Sequence, residues 1–165
     1  MEQQLVASKQ YFKTLSIMYY VLIAGQILLI IIAFASQYFM EKIITSYKIQ
    51  GMITILMSFL AVLGFFASKF LFRNDLKKIS AEPELRQKMQ NYKLALIKKY
   101  GMLEFISFCA AIATFLTGES IFLTFSLIIV LLFFIDKPSA IRAAKDLVLS
   151  PEDSLRIQKP DELIA

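Results

Sequence analysis

Residues 15–39 read LSIMYYVLIAGQILLIIIAFASQYF, and no charged side chain interrupts the chain between Lys13 and Glu41. A helix rises about 1.5 Å per residue, so about 20 apolar residues cross a hydrocarbon core about 30 Å thick. This stretch therefore predicts a membrane-spanning helix. A cleaved signal peptide is the other reading, since Lys9 and Lys13 precede the stretch and Ala33-Phe34-Ala35 has small residues at the spacing of a cleavage site. The apolar run is longer than the roughly 7–15 residues of a signal core, and a retained anchor is the better reading.

Working outward, residues 49–68 form a second uncharged run before Lys69. Between Glu104 and Asp136 the only charge is Glu119, within Thr117-Gly118-Glu119-Ser120. Two further spans joined by a very tight turn follow from this. The predicted spans are residues 15–39, 49–72, 99–117 and 120–136. The fourth is short: Ile121 to Ile135 gives about 22 Å of helix, which leaves a re-entrant hairpin with Glu119 at depth as an alternative. The expected fold class is an all-α integral membrane protein, four transmembrane helices in two hairpins, with amphipathic helices in a central loop (73–98) and a tail (137–165).

Composition agrees. Of 165 residues, 58% are apolar and 19% charged, against roughly a quarter charged in a soluble domain. A disordered chain, a disulfide scaffold and an ordinary soluble enzyme are excluded.

The 18 Lys and Arg sort by segment. Lys9 and Lys13 precede the first span, Lys42 and Lys48 follow it, nine lie between Lys69 and Lys99, and five lie in the tail. Basic excess marks the cytoplasmic side, so both termini and the central loop are expected inside, and the 40–48 loop and the 117–120 turn outside. The inner (plasma) membrane is the expected location. The net charge of +5 then reflects attraction to anionic lipid rather than to nucleic acid. All seven Tyr fall near a predicted interface, where a ring with one wet end is favoured.

Ser80-Ala81-Glu82-Pro83-Glu84 reads as a helix start. Beyond it Leu85, Met89, Tyr92 and Leu96 form one apolar stripe, which predicts a helix lying on headgroups or presenting a docking face. In the tail, Ser139 to Leu149 predicts a short amphipathic helix with Ile141, Ala144, Leu147 and Val148 as its apolar side. Ser150-Pro151-Glu152-Asp153 starts another, and Lys159 to Ala165 is expected to fray. Each half of the chain ends near a Pro-Glu pair, Pro83-Glu84 and Pro151-Glu152, a weak echo of two parallel repeats.

Catalytic groups are scarce. The chain has no His, one Cys and five Gly, with no phosphate-binding loop or nucleophile motif. Cys109 reads as a packing residue. No catalytic residue, cofactor or metal ligand set is assigned. Glu104 carries the most information, because it lies about one turn inside the third span on a face with Ser107, Ala111, Thr114 and Gly118. Small and hydroxyl residues mark the packed side of a membrane helix. An ionisable residue at such a depth points to function or to a buried pair. A Glu104–Lys69 or Glu104–Arg73 ion pair is the structural expectation, and a titrating carboxylate on a proton or cation path is the functional one. Gln26 is expected to make an interhelical hydrogen bond.

Two function classes remain. The preferred one is a non-catalytic accessory, assembly or scaffold subunit of a larger inner-membrane complex, with the lipid bilayer and partner subunits or further copies of itself as its contacts. The other is a small oligomeric transporter or channel with Glu104 and Gln26 in the pathway.

Overall fold

The computed structural model describes residues 6–39, 43–44 and 46–164. Glu41 and Lys42 in the first connection, and Ala165 in the tail, lie outside the described residues. Among those described there are six helices: α1 (Ser8–Phe39), α2 (Tyr47–Ser80), α3 (Leu85–Thr117), α4 (Ile121–Ile135), α5 (Ala140–Asp146) and α6 (Pro151–Gln158). The only extended pairing among them is an antiparallel bridge between Ala7 and Leu163. Three helices, α1, α2 and α3, are long and apolar enough to cross a membrane. A fourth crossing requires α4 and α5 to be taken together across a bend of 92°, because α4 alone has 15 residues.

The chain divides into two compact units. One comprises residues 1–20, 70–99 and 137–165; the other comprises 21–69 and 100–136. Each long helix contributes residues to both.

In the second unit α3 and α4 each take part in two buried clusters. Met57 of α2, Ala110 and Ala113 of α3 and Phe122 of α4 form one buried cluster, with Cys109 packed against it as a small filler. Ala33 of α1, Ala111 of α3 and Leu123 of α4 form another. Gly118, at φ 68°, lets the chain reverse after α3, a conformation glycine adopts without a steric penalty. α4 then returns along α3, and Ser126 Oγ donates to the Ser107 carbonyl at 3.2 Å. At the turn, Ser120 Oγ donates to Gln37 Oε1 at 2.8 Å, and the Ile44 amide donates to the Leu116 carbonyl at 2.8 Å.

The first unit overturns three readings of the sequence. The stripe Leu85, Met89, Tyr92 and Leu96 faces neither lipid nor a partner: it is buried inside the unit, with Met89 and Tyr92 fully enclosed. Tyr11 of α1 bonds the Met89 carbonyl and the Phe72 ring of α2 lies 6.3 Å from that of Tyr92, while Leu15, Ile79, Ala143, Leu147, Ile157 and Ile164 are buried in the same unit. A tail too short for a core of its own therefore completes a shared one. Its apolar side is also different from the one expected. Ala143 and Leu147 are inside, while Ile141 and Val148 are 73% and 83% exposed; Val148, just past the Leu147 cap of α5, is in left-handed backbone (φ 50°).

Residues 159–164 do not fray. The Ser8 amide donates to the Glu162 carbonyl at 2.8 Å, the Lys9 amide to the Pro160 carbonyl at 3.0 Å and the Ile164 amide to the Val6 carbonyl at 3.0 Å. Ser8 Oγ donates to the Ile157 carbonyl, and Arg156 Nε donates to Glu162 Oε1 at 3.1 Å. Of the seven Tyr, Tyr20, Tyr38 and Tyr47 are exposed. Tyr11, Tyr19, Tyr92 and Tyr100 are core residues. Of these, Tyr11 donates to the Met89 carbonyl at 2.6 Å, Tyr92 to Asp146 Oδ2 at 2.9 Å and Tyr100 to the Asp136 carbonyl at 2.7 Å. A buried phenol needs such a partner, and the nearest acceptor lay within the chain.

The expected helix starts are present. Ser139 accepts from the Arg142 amide and Ser150 from the Asp153 amide, with Pro151 at the first position of α6. The central amphipathic segment is the first part of α3 itself. The basic stretch after the second span also stays helical, through Ser80.

Candidate intramembrane polar site

Within the second unit, α3 offers two faces to two helices. Ile106, Ala110 and Ala113, spaced by four and three residues, meet α2. There the approach is close enough that a Cβ on Gly64 would lie 2.5 Å from Ile106 Cδ1. Glu104 and Ala111, one face round, meet α1. Ala111 packs with Ala33, and a Cβ on Gly25 would lie 3.9 Å from Glu104 Oε1. Gly25 pairs with a residue 79 positions on, and Ala33 with one 78 on, so α1 and α3 run parallel in this unit.

That register places the polar residues. Gln26 and Glu104 each stand seven residues, about two turns, before the contacting pair Ala33 and Ala111. Seven residues return a helix close to the same face. Gln26 therefore projects toward the Glu104–Ser107 level of α3. It is buried, with 1% of its surface exposed, and Ser107 is fully buried. Neither Gln26 Oε1, Gln26 Nε2 nor Ser107 Oγ has a hydrogen-bond partner. The interhelical bond expected of Gln26 is not made. Glu104 is half-buried, and no described residue bonds to it or pairs with it. The expected ion pair is absent among the described residues, and the two faces of α3 explain why. Glu104 points to the α1 side. Lys69 belongs to α2 and lays its ammonium over the Phe65 ring, 4.4 Å from the centroid. Arg73 lies in the other unit, and no described residue pairs with it.

Of the four residues singled out by sequence, the structure brings Glu104 beside the Gly25–Gln26 step of α1, and Lys69 lies over the Phe65 ring instead. Ser107 was legible only as a packing residue on the Glu104 face. Its unsatisfied hydroxyl and the acceptance at its carbonyl of the Ser126 hydroxyl are both products of tertiary packing. Neither fact can be read from spacing along α3 alone.

Among the described residues no group of three or more His, Cys, Asp or Glu side chains could hold a metal ion. Chemically, this part of the unit offers the Glu104 carboxylate beside α1, and the unpartnered Gln26 amide and Ser107 hydroxyl. Comparison with protein families, with curated proteins and with solved structures finds no match.

Proposed function

We propose that the protein is a multi-pass membrane protein of the cell inner membrane, with four spans in two hairpins and both termini cytoplasmic. It acts without catalysis, as an accessory, assembly or scaffold subunit of a larger membrane complex. The observation carrying this reading is how lightly α2 is held by its own chain. Only 11% of its most apolar stretch is buried, against 50% for α3. Ile55, Phe59, Val62 and Phe66 are all more than half exposed, and nothing lies within 4 Å of where a Cβ on Gly51 would stand. Helix association in lipid relies on close contact at small residues, and Gly51 leaves room for it. The first unit, by contrast, has already consumed the apolar stripe of α3 and of the tail.

The topology draws support from two sources. Basic residues are concentrated in the segments that make up the first unit, as expected of a cytoplasmic side. The bridge between Ala7 and Leu163 joins the start of the described chain to its tail. Labelling of single cysteines, introduced in a Cys109→Ala background, tests it. A cysteine at Ser154 should react with an impermeant thiol reagent only in inside-out vesicles, and one at Tyr47 only in intact cells.

The subunit reading is tested by mild purification of the tagged full chain from its native membrane and mass spectrometry of what accompanies it. A stoichiometric companion lost on Gly51→Leu supports the reading, and a chain that elutes alone overturns it. A second reading, a small oligomeric transporter or channel, is favoured by the unpartnered polar atoms of Gln26 and Ser107 beside Glu104. Under it, Glu104→Gln abolishes a proton- or cation-linked flux at normal expression.

A further inference from the structure

We propose that Gln26, Glu104 and Ser107 form a binding site for a single dehydrated monovalent cation of the alkali type, within the apolar unit between α1 and α3. The inference holds whether the ion moves or stays: a resident ion suits a subunit as well as a transporter.

The first argument is hydrogen-bond accounting. Buried polar atoms nearly always find partners, and leaving one unpaired in hydrocarbon is costly. Here three such atoms, Gln26 Oε1, Gln26 Nε2 and Ser107 Oγ, lack one; Gln26 follows the glycine whose Cβ would lie 3.9 Å from Glu104 Oε1, Ser107 is one turn on from Glu104 along α3, and no described cation pairs with Glu104. A side chain from another protein cannot supply the partner, because these atoms are enclosed. The occupant must be small.

The second argument is charge and ligand type. The amide oxygen, the hydroxyl and the carboxylate are hard oxygen donors, which suit alkali and alkaline-earth ions rather than transition metals. One carboxylate neutralises one positive charge. A divalent ion held by it would leave a net charge in the low-dielectric layer, where each uncompensated charge is expensive, and such ions are usually held by several carboxylates or by phosphates. With the cation on Gln26 Oε1, Ser107 Oγ and the Glu104 carboxylate, Gln26 Nε2 is left to donate to that same carboxylate. Every orphaned atom is then used.

The third argument is access. Glu104 is half-buried, so part of its side chain is reachable from outside the unit. Glu104 lies five residues beyond Lys99, about 7 Å along the helix, so an ion reaches it from the end of the unit where the basic residues begin.

The test is thermal unfolding of the full chain in nanodiscs in lithium, sodium, potassium or choline chloride at equal ionic strength. At least one alkali ion should raise the midpoint over choline in a saturable way. That rise should disappear in Glu104→Gln and in Ser107→Ala, the latter removing one oxygen and no packing volume of consequence. Carbodiimide labelling gives a second readout, since the reagent attacks a protonated carboxyl and a bound cation displaces the proton. At an ion concentration ten times the dissociation constant, the Glu104 labelling rate should fall about tenfold. If all four salts give the same midpoint and labelling rate, the site holds only water or a proton and the proposal is overturned. A rise that persists in both variants places the ion elsewhere and overturns it as well. Neither result bears on the companion-subunit experiment.

Discussion

Val148 is a β-branched residue held at φ 50° with 83% of its surface exposed. The Leu149 amide reaches back to the Ala144 carbonyl at 3.1 Å, the six-residue closure with which helices end on a left-handed residue, usually glycine. A branched side chain there is strained by about 1–2 kcal/mol, and it has little packing to lose. Val148→Gly should therefore stabilise the chain by about 0.5–1 kcal/mol, read as a higher thermal midpoint. Tyr92 is the opposite case, with no exposed surface and a bond to Asp146. Tyr92→Phe should cost about 1–2 kcal/mol, and Asp146→Asn should cost less because its amide oxygen still accepts. A double-mutant cycle between the two positions measures their coupling. Lys99 illustrates a third outcome, a cation that is 6% exposed yet lies 4.7 Å above the Phe72 ring. Its charge faces an aromatic surface rather than bare hydrocarbon.

At the scale of elements, the helix contacts separate two glycines that look alike in sequence. Gly64 is where α2 meets α3, and a side chain there must displace Ile106, which is buried. Gly64→Leu should lower stability by about 2 kcal/mol or more through overpacking. Gly51 has open space, so Gly51→Ala should be neutral or gain up to about 1 kcal/mol of helix propensity. Denaturation of both variants in one detergent makes the comparison. For α6, Ser150→Ala removes the acceptor of the Asp153 amide and should cost about 1 kcal/mol, with loss of helical signal confined to that segment. Capping was legible in the sequence because it depends on four adjacent residues. The existence of α1, α2 and α3 was legible because an uncharged run has few other uses. The face of α3 turned to each neighbour was not, since α3 is apolar on most sides and its partners are chosen by shape: Gly64 admits Ile106, and Ala33 admits Ala111.

For the molecule as a whole, sequence reasoning found the helices long and apolar enough to cross a membrane and misjudged how the segments beyond them are covered. An apolar stripe such as Leu85, Met89, Tyr92 and Leu96 records only that something covers it. Lipid, a partner and the chain's own tail leave the same pattern, and the cover here includes Tyr11, 78 positions from the Met89 carbonyl it bonds. The test is deletion of residues 160–165, which removes the backbone bonds to Val6, Ser8 and Lys9 and uncovers the pocket filled by Ile164. The shortened chain should keep its helices and its extraction behaviour, lose several degrees of thermal midpoint, and become open to limited proteolysis after Lys77 or Lys88. Restoring the deleted segment by fusion should reverse all three changes. The pairing of Ala7 with Leu163 also fixes the order of events during synthesis. The apolar helices can enter a bilayer one after another as they are made, but the unit built on Met89 and Tyr92 stays open until residue 164 has been translated. Long-range closure of this kind is slow and exposes unfinished surface. A ribosome stalled at any earlier codon would therefore display an unpacked apolar stripe on an otherwise inserted chain, a mark by which quality control could distinguish incomplete copies from finished ones.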